Sequence, residues 1–229
     1  MTPRPFLITT LVASLSFGLL PCSAQNAGTV SVRFLSFPKS MEPVKVQLRL
    51  AEGKSLDIEA PSNWFSPAVS VAPAGVWSVG ETIDGPDGKP LFKELGRTTA
   101  PASPQQMLLL VRKGNDNAAG FDLIALDGRV NSFGGGKFLF MNAAKVDIAG
   151  VVGDEKFVVK PGQHTIVKPK VENGKRTFHT QLFFRKNDEA QSFFSSKWPV
   201  SATARALIFF YHDPATLHIR MHTIRDFME

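Results

Sequence analysis

Period-two alternation of apolar and polar residues is the feature that most constrains this chain. Val44, Val46, Leu48 and Leu50 alternate with Lys45, Gln47 and Arg49. Only a pleated strand sends successive side chains to opposite faces in this way. The same period holds for Val30, Val32 and Phe34 around Ser31 and Arg33. It returns where Leu217, Ile219 and Met221 point inward and His218, Arg220 and His222 outward. Residues 107–111 form a continuous apolar run, which suits a strand covered on both faces. Residues 120–126 follow as another strand, and residues 205–211 are nearly all apolar. No stretch has the recurrence of a long amphipathic helix. The expectation is an all-β chain.

Residues 1–24 read as a signal peptide. Arg4 is their only charge, residues 6–20 are apolar with small polar interruptions, and Cys22-Ser23-Ala24 supplies small residues at a cleavage site. The run is too short and too interrupted for a stable membrane span, so no integral span is expected in the mature chain. Acylation of Cys22 is the second reading, disfavoured by Pro21 before it. Cleavage after Ala24 leaves a periplasmic or secreted protein without cysteine. Such a chain has no disulfide, no thiolate nucleophile and no cysteine-bound metal. It has to stand on its hydrophobic core.

Charge is uneven along that chain. Residues 25–124 carry ten Lys/Arg and ten Asp/Glu, whereas residues 125–229 carry fifteen and ten. A basic excess confined to one half favours an anionic partner. In an exported protein that partner is an envelope protein or an anionic polysaccharide, not nucleic acid.

Punctuation divides the chain in two. Residues 127–136 are polar and glycine-rich, ending in Gly134-Gly135-Gly136, and read as a flexible crossover with a boundary near residue 130. The expected modules are residues 28–127 and 135–229, two tandem antiparallel Ig-like β-sandwiches. A weak internal echo agrees. Val32-Arg33-Phe34-Leu35-Ser36-Phe37 is similar to Lys137-Phe138-Leu139-Phe140-Met141-Asn142. Val71-Ala72-Pro73-Ala74-Gly75-Val76-Trp77 is similar to Val159-Lys160-Pro161-Gly162-Gln163-His164.

The sharpest local signal is Asn173-Gly174, the preferred type I′ hairpin pair. A two-residue loop there sets Glu172 opposite Lys175, Lys170 opposite Thr177 and Lys168 opposite His179. It buries Phe178, Thr180, Leu182 and Phe184. Lys168, Lys170, Lys175, Arg176 and His179 then make a cationic surface, the candidate anion-binding residues. The same lysines would also protect an exposed sheet edge. Trp64 and Trp198 each precede a proline-bounded turn suited to presenting a ring, and they are the candidates for stacking on a sugar. Filling a core is the commoner role for either.

Catalytic constellations are incomplete. Gly75-Val76-Trp77-Ser78-Val79-Gly80 departs from G-x-S-x-G because Val76 stands where the first glycine belongs. Lys137 after the triple glycine is followed by Phe138-Leu139-Phe140, a strand and not the helix a phosphate loop feeds. His218 and His222 on one strand would lie about 13 Å apart, beyond one metal's reach. His164 and His179 share a face, but Lys168 opposes His179. Asp122, Asp127, Asp147 and Asp154 fit turn positions as well as acid–base roles. No cofactor or metal is expected.

The layout resembles that of a family of uncharacterised exported bacterial proteins. The resemblance is carried by Asn63-Trp64-Phe65-Ser66-Pro67, Gly135-Gly136-Lys137-Phe138-Leu139-Phe140-Met141-Asn142, Pro161-Gly162 and Trp198-Pro199 before residues 205–211. More distantly it is similar to small secreted Ig-like domains of unknown function and to the two-domain accessory protein of alginate acetylation, a non-catalytic periplasmic partner. The resemblance implies a tandem β-sandwich without established activity and assigns no functional residue. The expected function is therefore non-catalytic: an envelope protein binding a protein partner or anionic glycan through its basic second module. The alternatives are a hydrolase of glycan or ester bonds and a structural or assembly subunit.

Overall fold

The computed structural model describes residues 28–50, 54–113, 120–186 and 189–228. The leader read over residues 1–24, Cys22 included, lies outside them. Eight strands come first: β1 (Val30–Phe37), β2 (Val44–Arg49), β3 (Ser55–Ala60), β4 (Val69–Val71), β5 (Val76–Asp84), β6 (Pro90–Thr99), β7 (Gln105–Arg112) and β8 (Phe121–Asp127). One helical turn, α1 (Val130–Phe133), leads to β9 (Phe138–Asn142), β10 (Ile148–Val152), β11 (Glu155–Val159) and β12 (His164–Val167). The chain closes with β13 (Thr177–Lys186), β14 (Glu189–Pro199), β15 (Ala204–His212) and β16 (Ile219–Phe227). No helix among the described residues is long and apolar enough to cross a membrane.

The strands form four sheets, ordered β4-β1-β7-β8, β3-β2-β5-β6, β12-β9-β15-β16 and β11-β10-β13-β14. Adding eight to each label of the first two orders produces the second two. The protein is thus two tandem β-sandwiches of one topology. All ladders are antiparallel except one parallel pair per module, β1 with β7 and β9 with β15.

Alternation explains the layering. On β1, Val30, Val32 and Phe34 enter the first module's core with Leu48, Trp77 and Leu108. Leu35 and Phe37 of the same strand face the other way. They join Met107 and Leu109 of β7, Leu139 and Met141 of β9, and Leu207 and Phe209 of β15 in a second core between the modules. Phe140, Ile208 and Phe210 fill the third core, inside the second module. The near-continuous apolar runs on β7 and β15 are thus explained: both central sheets are buried on both faces. Each fully buried Leu or Phe contributes about 1.5–3 kcal/mol. The shared core therefore welds the modules together.

The crossover is ordered, not flexible. Phe133 of α1 is wholly buried in the shared core, so the glycines serve close packing. Asp127 pins its start, with Arg129 Nη2 at 2.6 Å, Ser132 Oγ at 2.6 Å and Ser103 Oγ at 2.7 Å. These bonds, Arg129's first, hold the Asp127 carboxyl well below the usual carboxylate range against the opposing effect of burial. Its contribution to stability is therefore complete above about pH 4 and is lost as pH falls toward its folded value. Urea unfolding followed from about pH 6 to pH 2 should show Asp127→Asn losing part of the acid-side slope. An unchanged slope would mean the cluster adds nothing to folding.

Three further expectations are corrected. Residues flanking Asn173-Gly174 do not pair as a hairpin: β12 pairs with β9, whereas β13 pairs with β10 and β14. The turn exists, with Lys175 N donating to Glu172 O at 3.1 Å. However, positive φ occurs at Gly174 (83°) and not at Asn173, whereas type I′ requires it at both. The chain turns there to cross from one sheet to the other. Phe178, Thr180 and Leu182 are nevertheless buried, and Phe184 is half-buried against the same core, because facing depends on parity and not on partner. Second, Leu217 lies outside β16, 74% exposed and with φ of 58°. Third, only the first internal echo falls on equivalent strands, β1 and β9; the second sets the β4–β5 connection against that of β11 and β12.

Candidate functional site

The cationic residues come together only in part. Lys170, Lys175 and His179 line a shallow groove of about 320 Å³ with Lys197, the actual cross-strand partner of His179. Asp154 and Glu172 line it too. Lys170 pairs with Glu155 at 3.0 Å, which holds its amine above the usual lysine value, and Lys175 pairs with Glu172 at 2.6 Å. Lys168 and Arg176 are exposed but do not line the groove. His179 Nε2 lies 3.2 Å from Ser195 Oγ. Much of this groove's positive charge is already compensated by carboxylates.

The tryptophans part company. Trp198 is half-buried and stacks on Phe138, ring centroids 5.4 Å apart, with Phe178 edge-on at 6.4 Å. It plugs the second module's core. Trp64 is 59% exposed. Its neighbour Phe65 is buried in the shared core, and Ser66 locks the segment to β1, accepting from Phe34 N at its Oγ and donating its own N–H to Phe34 O, both at 2.9 Å. With Phe65 committed inward, the adjacent indole is left outward.

Trp64 stands beside a cleft of about 680 Å³ where the modules meet, lined also by Arg33, Arg205, Asp226, Val130 and Phe227. Asp226 is the centre of an ion cluster. Arg33 Nη1 donates to its two carboxylate oxygens at 2.9 and 3.0 Å, and Arg205 Nε donates to Oδ2 at 2.8 Å. Arg205 and Asp226 are each 6% exposed, and Arg33 is 31% exposed. Arg205 also donates to the carbonyls of Gly128 and Phe133, and its guanidinium lies over the Phe133 ring. Arg33 Nε donates to Ser66 O at 3.1 Å, and its guanidinium lies over the Phe65 ring at 5.0 Å. Arg33 Nη2 has no hydrogen-bond partner among the described residues.

Two guanidinium groups against one carboxylate leave a single positive charge in excess, partly shielded from water. Partial burial strengthens its pull on an anion relative to a surface lysine. The free Nη2 of Arg33 can donate a charge-assisted hydrogen bond to a carboxylate. Val130 (61% exposed) and Phe227 (69% exposed) extend the apolar rim beside Trp64.

Sequence reading selected Trp64 and missed the ion cluster. Arg33 has the parity of a solvent-facing residue, and 193 residues separate it from Asp226. The available signal was the unbroken apolar run at residues 107–111, which demands cover on both faces of its sheet and hence a further layer above Arg33.

Of the hydrolase candidates, Asp127 is committed to the crossover and Asp154 lies by the lysine groove. His222, which lies outside both, reaches Ser62 O across the modules at 3.3 Å. Fold and cleft together define a tandem β-sandwich with a cationic, aromatic-rimmed junction. No protein-family model matches the chain, and no curated protein matches it either; the junction's role rests on its own geometry.

Proposed function

We propose that this chain is a non-catalytic exported protein of the cell envelope that holds an anionic glycan in the cleft between its modules. The observation that carries the reading is the surplus guanidinium of the Arg33–Asp226–Arg205 cluster beside exposed Trp64. A carboxylated sugar offers both complements: a carboxylate for Arg33 and an apolar C–H face for the indole. Cleft size suits a few sugar units.

Hydrolysis of a glycosidic bond ordinarily uses two carboxyl groups. Asp226 is the only one among the described residues lining this cleft, and both its oxygens are occupied by guanidinium N–H groups. That supports binding over turnover.

Retention on immobilised polygalacturonate tests the reading. The parent protein should bind at low salt and elute as salt rises. Trp64→Ala, at an exposed position, should weaken binding roughly 2- to 10-fold. Lys168→Ser, Lys170→Ser and Lys175→Ser combined should leave it nearly unchanged, since two of these amines already have acidic partners. The proposal fails if the parent is not retained, or if the lysine triple abolishes retention while Trp64→Ala does not.

A further inference from the structure

The duplicated topology allows one corner of the two sandwiches to be compared row by row. In the first module Val32, Gln106 and Asp127 lie side by side on β1, β7 and β8. In the second, Phe138, Ala206 and Arg225 occupy the matching row on β9, β15 and β16. Gln106 is buried and donates to the carbonyls of Pro101 and Ser103 at 2.6 and 2.8 Å. Ser103 Oγ lies 2.7 Å from Asp127 Oδ1. This segment is thereby latched over the corner. Nearby, β6 closes against β8 so tightly that a Cβ on Gly96 would lie 2.6 Å from Phe121 O.

The second module has lost the latch. Ala206 has no amide, Arg225 reverses the charge of Asp127, and a cleft of about 440 Å³ opens between β14 and β16. Phe138, Trp198, Met221 and Phe227 line it, with Arg225 among them. Arg225 is exposed and has no carboxylate partner among the described residues. β16 is the last strand of its sheet, paired on one side only, with neither bulge nor proline along its nine residues. Its outer edge therefore offers alternate backbone N–H and C=O groups to another strand.

We propose that this corner docks an extended acidic segment of a partner protein by strand addition to β16. The cleft is open along the strand, which suits a chain. An added strand sends every second side chain over the cleft. A bulky apolar residue would fill the volume vacated at Ala206, and a carboxylate two positions away would meet Arg225. The site adjoins the glycan cleft, sharing Phe227 with it, but the proposal does not depend on the glycan reading.

The probe is a seven-residue peptide with Phe, Glu and Leu at alternate positions between threonines. A second peptide carries Lys in place of Glu. In a Trp64→Phe background, fluorescence reports Trp198 at the cleft, since Trp77 is wholly buried in the other module. The Glu peptide should perturb Trp198, and the Lys peptide should bind more than about 10-fold more weakly. Ala206→Gln, which returns the first module's amide, should abolish the response. Arg225→Glu, at an exposed position, should invert the preference between peptides even if Ala206→Gln does not fold. Both variants should keep the parent's polygalacturonate retention when Trp64 is intact. Equal binding of the two peptides, no response to either, or an unaltered response in Arg225→Glu would overturn the proposal. So would a concentration-dependent dimer in sedimentation that shields Trp198, since that assigns the corner to a second copy.

Discussion

Asp226→Ala is expected to destabilise the protein by about 3–5 kcal/mol, a large share of the roughly 5–15 kcal/mol typical of a folded domain. The loss would come less from the missing attraction than from what remains. Arg205, 6% exposed, and Arg33 would be left facing each other without the carboxylate that both now share. An uncompensated buried charge is among the few causes of a loss this large. Replacing the whole cluster, with Arg33→Met, Asp226→Leu and Arg205→Met together, should recover most of the loss because apolar side chains of similar volume need no counter-charge. Urea denaturation of the parent, single and triple variants checks this. A single-variant loss below about 1 kcal/mol would show that water screens the cluster as it screens surface pairs.

The same variant links stability to the proposed ligand. Without Asp226 the cleft carries two uncompensated guanidinium groups, so an anion binding the folded state should restore part of the lost stability by mass action. Adding polygalacturonate should raise the denaturation midpoint of Asp226→Ala more than that of the parent. Equal shifts would detach the cluster from anion binding while leaving its structural role intact.

Strand positions were legible because parity survives errors of pairing. Phe178, Thr180 and Leu182 are buried as alternation requires, although the hairpin proposed for them does not exist. Pairing was illegible for a physical reason: Asn173-Gly174 favours a turn locally, but whether the chain leaves it in the same sheet is decided by distant partners. For β12 that partner is β9, and for β13 it is β10 and β14. The cleft was half legible. Trp64 followed from its proline-bounded segment, whereas Arg33 looked solvent-facing because a two-layer sandwich has water on its outer faces. Once the shared core lies between the modules, those outer faces become interior, and a charge placed there needs a partner. The residues at 107–111 and 205–211 carried that information, but on strands other than the one bearing Arg33.

Phe209→Ala is expected to cost about 3–5 kcal/mol and to act on both modules at once. Phe209 is 1% exposed and stacks on Phe37 of the other module, centroids 4.6 Å apart and planes 6° from parallel. Its neighbours on β15, Ile208 and Phe210, face the core inside the second module instead. If the modules were independent bodies that merely touch, truncating Phe209 would loosen a docking surface and leave the first module's unfolding unaffected. The packing argues otherwise, because β1 and β7 have one face in the first core and one in the shared core, as β9 and β15 do between the shared and third cores. Neither central sheet can lose its shared face without exposing a row of Leu, Met and Phe side chains to water. Variants retaining only Trp77, in the first core, or only Trp198, beside the third, provide separate reporters of the two modules. In the parent both should report one denaturant midpoint, and Phe209→Ala should lower both together. A shift of the Trp198 signal with an unmoved Trp77 signal would mean that the shared core joins the modules without coupling their folding.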